Sequence, residues 1–280
     1  MAHSMAGRRA GSYTVLYTAA LIFFVLLVFP YIYMVLQSLA PWDEVNRRIF
    51  PTRLTVRSYE WIWTGGAAGL QKPWMRSLLN STIVTVSDTI TRLVAAMFAG
   101  YALSRLQFFG RKRINDAILF HMFYPGIILL VPTFLIVRQM GIYNTYWAMI
   151  IPRMVDVWAI FMYKNFFGGI DRSLTDSARV YGAGEMRIIF SIMVPMSKPI
   201  TTVIFLFLFM QRWVQLLWDL LVVKDPTRQT LNVLLATMFG PYGNYPGPLY
   251  AASVILTFPI LILFGIFSKQ FVQGVEFVVK

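Results

Sequence analysis

Cysteine is absent from the 280 residues, and histidine occurs only twice, as His3 and His121. No disulfide framework and no thiolate metal site is available to such a chain, and two histidines do not make a histidine-rich metal centre. Charge of either sign is scarce. Asp, Glu, Lys and Arg supply 13% of the residues, against about 25% in an ordinary soluble domain. Acidic residues are the scarcer kind, 12 against 25 basic ones, for a formal charge of +13. The sequence has no Gly-rich phosphate loop, no metal-spaced cluster and no nucleophile–base pair. It therefore predicts no catalytic residue, no metal site and no cofactor in this chain.

What is abundant is apolar. Hydrophobic residues make up 58% of the chain, the mean hydropathy is +0.62, and the apolar residues come in long runs. Both features predict a membrane-embedded protein. In such a protein Lys and Arg sit mostly in loops and set orientation, so the positive charge does not call for a nucleic-acid partner.

A helix crosses the hydrocarbon core in roughly 20 residues. Six stretches meet that length: about 13–39, 77–103, 115–137, 145–166, 200–223 and 250–267. The expected fold is all-α, a polytopic membrane protein with six transmembrane helices in a single domain, 1–280. The first stretch is far longer than a signal-peptide core and has no cleavage site in the right place, so it reads as retained. Pro30, Pro125, Pro132, Pro152 and Pro259 fall inside these stretches, as membrane helices tolerate. Six crossings put both termini on one side. The basic run Arg105–Arg113, with Arg8, Arg9 and Lys269, assigns that side to the cytoplasm. The 40–76 loop opposes this with Arg47, Arg48, Arg53, Arg57, Lys72 and Arg76, although long loops count for less. In that loop Tyr59, Trp61, Trp63 and Trp74 read first as interfacial anchors. Residues 240–248 read as a turn-rich external loop.

One polar stretch, 170–195, interrupts the apolar runs. Ser173 suits a helix N-cap, with Asp176 three residues on as a capping partner. Ala178 is small enough for close approach by another surface. Gly182 marks a helix end, because glycine takes left-handed dihedrals without steric cost. A second amphipathic helix is expected over about 184–193, with Met186, Ile189, Ile192 and Met193 on its apolar face, and Pro195 and Pro199 close it. Periodicity alone leaves open whether this is an interfacial helix–turn–helix or an element gripped by another protein.

The spacing in this stretch resembles the "EAA" loop of bacterial ABC-type importer permeases: Glu-Ala-Ala, three residues, Gly, nine residues, Ile-any-Leu-Pro. Here it reads Asp176-Ser177-Ala178, Gly182, then Ile192-Met193-Val194-Pro195. The segments Ala99–Leu106, Phe109-Gly110-Arg111, Gly141–Trp147, Ile151-Pro152, Val272-Gln273-Gly274-Val275 and the final Val278-Val279-Lys280 are similar to carbohydrate-importer permeases of the maltose-permease G-subunit type. The resemblance implies a type I ABC importer permease fold whose loop, with Asp176, Ser177, Ala178, Gly182, Ile192 and Pro195, forms a coupling helix docked on an ATPase subunit. It also implies a homologous second permease, two ATPase subunits carrying the ATP and Mg, an external substrate-binding protein and an oligosaccharide substrate.

Ionisable residues at membrane depth cost roughly 2.5–3.5 kcal/mol each on insertion scales, so they face the bundle interior, water or one another. Asp88 and Arg92 are four apart, and Arg153 and Asp156 are three apart. Arg212, Gln215 and Asp219, spaced three and four, are expected on one helical face. Two readings stay open: self-neutralised pairs along each helix, or the polar lining of a translocation path. Trp213 belongs to the second reading, in a region where related permeases often carry Trp-Asn-Asp-Phe and this chain has Trp213-Val214-Gln215-Leu216. On that reading the arginines meet the carboxylates of an acidic, uronate-containing oligosaccharide, for which planar guanidinium forks are suited. The alternatives are a neutral sugar or, without an ATPase, a proton-coupled secondary transporter using Asp88, Asp156 and Asp219. His121 reads as a satisfied interior histidine.

Overall fold

The computed structural model describes residues 2–64, 74–238 and 246–279, and the side chains of 15–64, 74–237 and 246–268. Much of the turn-rich 240–248 loop, the side chains of Arg8, Arg9 and Lys269, Lys72 and the side chains of the 272–280 tail lie outside the described residues. All regular structure among the described residues is helical. In chain order come α1 (Ala2–Ser38), α2 (Arg57–Thr64), α3 (Trp74–Arg105), α4 (Arg111–Met122), α5 (Leu130–Gln139), α6 (Tyr146–Ile150) and α7 (Val157–Gly169). They are followed by α8 (Arg172–Val180), α9 (Glu185–Ile188), α10 (Val194–Met196), α11 (Lys198–Trp213), α12 (Leu217–Val222), α13 (Leu231–Met238) and α14 (Pro246–Val279).

Among the described residues three helices are long and apolar enough to cross a membrane: Val15–Ser38, Trp74–Arg105 and Pro246–Ser268. Two further candidates are bent pairs, 111–122 with 126–139 at 100° and 185–196 with 198–213 at 82°. The prolines explain which stretches stay whole. Pro30 and Pro259 sit inside unbroken helices. Pro125 instead takes an extended backbone ahead of a 3-10 turn, Gly126–Leu129. It has no N–H to give and it disfavours a helical residue before it, so 115–137 is not one straight helix. Pro152 likewise opens a 3-10 turn, Ile151–Arg153, and 145–166 is divided into α6 and α7. The 200–223 stretch also breaks, between Trp213 and Leu217.

The chain divides into two compact units. One takes residues 1–72 and 237–257, and its described part is built around Gln37, which is fully buried at the end of α1. The Gln37 amide donates to the Arg48 carbonyl at 2.7 Å and accepts from the Asn46 N–H at 2.8 Å. It thereby satisfies backbone groups of the following loop that burial would otherwise strand. Asn46, at φ 62, in turn accepts from the Tyr250 hydroxyl at 2.7 Å. Trp42 donates to Ser58 at 3.2 Å and lies under the Arg57 guanidinium at 4.3 Å. Two backbone and side-chain bonds from Thr52 hold the Glu44 carboxyl below its usual range.

The other unit takes residues 73–236 and 258–280. Its core is the seam between α3 and α7, joined by α11, where Tyr101, Tyr163, Phe167, Ile188, Met193 and Leu208 are buried. Trp74, at the start of α3, is buried, so it is a packing residue and not the interfacial anchor expected of it, whereas Trp63 is exposed. The seam closes because Gly100 has no side chain. A Cβ there would stand 2.6 Å from Cβ of Tyr163 and 2.9 Å from the Lys164 nitrogen. Gly100→Ala is therefore expected to destabilise the protein by about 1–3 kcal/mol through overpacking. Gly168→Ala, which meets nothing within 4 Å, serves as the control. Unfolding midpoints in detergent test the pair, and equal midpoints would mean that the seam does not need the close approach.

Candidate functional site

Two places concentrate the sequence-predicted residues, and both lie within the larger unit. The first is the connection from α7 to α11. Asp171 caps α8, accepting from the Ser173 N–H at 2.9 Å. That bond keeps its carboxyl below the usual range and satisfies one of the helix's free donors. The cap is thus two residues earlier than Ser173, which sits inside the first turn. Asp176 is not a capping partner but takes Arg179 Nη1 at 2.8 Å. The helix ends in a Schellman turn. The Ala183 N–H donates to the Ala178 carbonyl and the Gly182 N–H to the Arg179 carbonyl, both at 2.9 Å, with Gly182 at φ 79, a conformation that favours glycine. Ala178 and Ala183 pack inward on the core, while Leu174, Val180 and Tyr181 stand out. Tyr181 is 90% exposed.

The next helix runs from Glu185 through a π turn at Ile189–Met193 to Met196. The wide turn precedes Pro195, whose missing N–H and ring disfavour a regular helical turn before it. Its inward face is Ile188, Ile189 and Met193, whereas Met186, expected on that face, is exposed. Ile192 is half-buried and Pro195 exposed. Arg179 Nε donates to Glu185 at 2.9 Å, and the hydroxyl of Tyr101, in α3, donates to the same carboxylate. The Arg179 guanidinium is held firmly protonated by that hydrogen bond. Arg105, at the end of α3, donates to the carbonyls of Phe167 and Ile170. The connection is therefore tied to both helices of the core seam. Tyr101, Arg179 and Glu185 were not singled out from sequence; Tyr101 lies within an apolar run, and the other two resemble solvated loop charges.

The second place is a cluster of charges at the breaks in the helices. Arg92 lies between Asp88, at 3.3 Å, and Asp156, and also reaches Gln211 at 3.3 Å. Asp156 is the N-cap of α7, accepting from the Ala159 N–H at 2.7 Å through its other oxygen. Arg212 and Asp219 form two bonds of 3.0 Å, both side chains buried, with the Thr230 hydroxyl on the same carboxylate. Two sequence expectations are corrected here. Arg153 and Asp156 do not pair along a helix, because the chain leaves helical geometry between them. Arg212, Gln215 and Asp219 do not share one helix face, because α11 stops at Trp213. Arg153 is left with only Gln215 Oε1, at 3.4 Å, and its Nε is buried without a partner among the described residues.

A cleft of about 510 Å³ opens on this cluster. Arg92, Arg153, Asp156 and Gln215 line it, together with Gln211 and His121. Asp88, Arg212 and Asp219 lie behind its wall as buried pairs. Trp213 is buried and stacked on Phe209 at 5.7 Å, away from the cleft lining. His121 is exposed, not interior. Gln211 looks like an ordinary helical glutamine in the sequence and carried no signal.

No protein-family model matches the chain. Curated proteins do. The chain is 33% identical over 252 residues to the arabinooligosaccharides transport system permease protein AraQ of Halalkalibacterium halodurans, with 88% of each chain covered. It is 28% identical over 277 residues to the polygalacturonan/rhamnogalacturonan transport system permease protein YtcP of Bacillus subtilis, covering 92% of this chain and 94% of that protein. In structure it is similar to a chain of a bacterial ABC transporter involved in the import of the acidic polysaccharide alginate. The TM-score is 0.83 at 22% identity, covering 92% of this chain and 96% of that one. The fold is thus that of an ABC importer permease. The chain belongs to the family of ABC-type carbohydrate importer permeases, and is a membrane transport subunit, not an enzyme.

Proposed function

We propose that this chain forms one half of the translocation path of an ATP-driven, binding-protein-dependent oligosaccharide importer in the bacterial inner membrane. A homologous permease supplies the other half. One of two ATPase subunits binds the α8–α9 turn, and a substrate-binding protein delivers from outside. The proposed topology has six crossings with both termini in the cytoplasm, two of them interrupted beside charged residues, at Arg153–Asp156 and between Arg212 and Asp219. Asp176, Ser177, Ala178, Gly182, Ile192 and Pro195 form the coupling element. The observation that carries this reading is the turn itself. Leu174, Val180 and Tyr181 are held out on a rigid glycine-capped corner, and apolar side chains displayed in this way mark a protein-docking surface.

The substrate proposed is an acidic oligosaccharide. It is supported by the arginine-lined cleft and by relatives whose names specify polygalacturonan and alginate. Arg92 and Arg212 are already neutralised by carboxylates, whereas Arg153 faces the cleft with one long amide contact. Arg153 is thus the group with donors to spare for a uronate, and Arg92, Asp156 and Gln215 line the same passage. Charge-assisted hydrogen bonds contribute about 1.5–3 kcal/mol, so Arg153→Gln is expected to lower transport of galacturonate trisaccharide, relative to its carboxyl-reduced counterpart, by about tenfold or more. Uptake by the reconstituted complex measures the ratio. An unchanged ratio favours the neutral-sugar reading, and uptake of neither sugar by the wild type removes the importer reading as a whole.

A further inference from the structure

Basic residues of α3, α4, α7 and α8 enclose a pair of cavities separate from the cleft. One, of about 660 Å³, is lined by Arg111, Lys112, Arg113 and Lys164, with Gln107 and Asn115 between them. The other, of about 280 Å³, is lined by Arg105, Arg111, Lys164 and Arg172. They share Arg111, Lys164 and Leu103 as a common wall. Six cations thus surround two adjoining hollows, and no carboxylate lines either one. Elsewhere in this unit Arg92, Arg179, Arg212 and Arg228 each sit on an Asp or Glu, while Arg153 faces the cleft without one. Asp171 and Asp176 are near enough for their fields to reach Arg105, but they are engaged by Ser173 and Arg179.

Three of the cations are held in place by neutral groups. Arg111 Nε donates to the Leu103 carbonyl at 2.9 Å, Arg105 to those of Phe167 and Ile170, and Lys164 to the Asn115 amide oxygen. None of these contacts cancels charge. The result is a fixed positive concavity, which favours an anion. Its rim is apolar and aromatic: Phe108 and Phe109 border the larger hollow, and Phe109 is 96% exposed. A free phosphate would use the cations but leave the aromatic rim uncovered. A protein partner would cover the rim but needs protruding carboxylates to fill two hollows. A lipid satisfies both features, with phosphates below and acyl chains against the phenylalanines, and basic pockets between membrane helices bind such headgroups.

We propose that these hollows form a binding site for an anionic phospholipid whose headgroup carries two phosphates, one in each hollow, with its acyl chains on Phe108 and Phe109. The test is native mass spectrometry of the purified, delipidated transporter complex titrated with cardiolipin, and separately with phosphatidylglycerol at matched charge. Lys112→Gln/Arg113→Gln removes two exposed cations that make no side-chain hydrogen bond among the described residues, so folding is not at issue. Arg47→Gln/Arg53→Gln removes two from the 40–56 loop as a control. With about 1 kcal/mol per basic residue near a membrane surface, cardiolipin affinity is expected to fall about thirtyfold in the first variant and to hold in the control. Millimolar inorganic phosphate should not displace the lipid. Equal losses in both variants would reduce the effect to overall charge and overturn the site. Equal affinity for the two lipids would overturn the two-phosphate assignment. Unchanged lipid binding with release of the ATPase subunits would overturn the proposal in favour of a protein surface.

Discussion

Gly182→Pro should abolish sugar-stimulated ATP hydrolysis in the reconstituted complex while the chain still inserts in the membrane. Proline fixes φ near −65°, and Gly182 sits at φ 79. The substitution also deletes the N–H that closes the turn on the Arg179 carbonyl. A proline misplaced in this way costs about 3 kcal/mol or more, enough to depopulate the native corner about a hundredfold at about 1.4 kcal/mol per tenfold. Nothing lies within 4 Å of a Cβ at this position, so the loss would come from backbone geometry and not from a clash. Gly182→Asn separates the two causes, because asparagine tolerates the left-handed region and should keep most of the stimulation. Wild-type stimulation in the proline variant would remove the corner from the coupling mechanism.

The second large effect concerns stability. Arg212→Met leaves Asp219 buried with the Thr230 hydroxyl as its one side-chain hydrogen bond among the described residues. Removing one partner of a buried ion pair costs about 3–5 kcal/mol, whereas replacing both with apolar residues of similar volume is often neutral or stabilising. The single variant should fail to accumulate or should unfold much earlier in detergent, and Arg212→Met/Asp219→Leu should recover most of the loss. If the single variant were as stable as the wild type, the pair would not be holding α11 and α12 together. Substitutions at Asp219 alone are for the same reason poor probes of transport.

The long helices were readable because long, mainly apolar stretches leave few alternatives: α1, α3 and α14 each follow from one. The breaks were not readable. Pro30 and Pro259 are tolerated inside helices and Pro125 and Pro152 are not, yet all four look alike in an apolar window. Nothing in the window around each proline separates the two kinds. The charges were misassigned for the same reason. Asp88 and Arg92 do meet at helical spacing, but Asp156 turns from Arg153 to Arg92, sixty-four residues away, because α7 begins at Val157 and needs a cap. The helix end was legible in Gly182, since a glycine-dependent turn leaves a mark in sequence. The bonds that anchor it, from Tyr101 and Arg105, connect remote helices and leave none.

Helix α7 is capped at one end by Asp156, on the cleft, and runs at the other into Asp171, the cap of α8. Thirteen helical residues at about 1.5 Å each make a rigid strut of about 20 Å. If a sugar in the cleft favours one position of Asp156 against Arg92, the strut passes part of that preference to the α8 corner. Linkage then runs both ways. The factor by which a bound sugar alters the corner's affinity for its partner must equal the factor by which the partner alters affinity for the sugar. Two binding isotherms, each measured with and without the other ligand, would give that number twice.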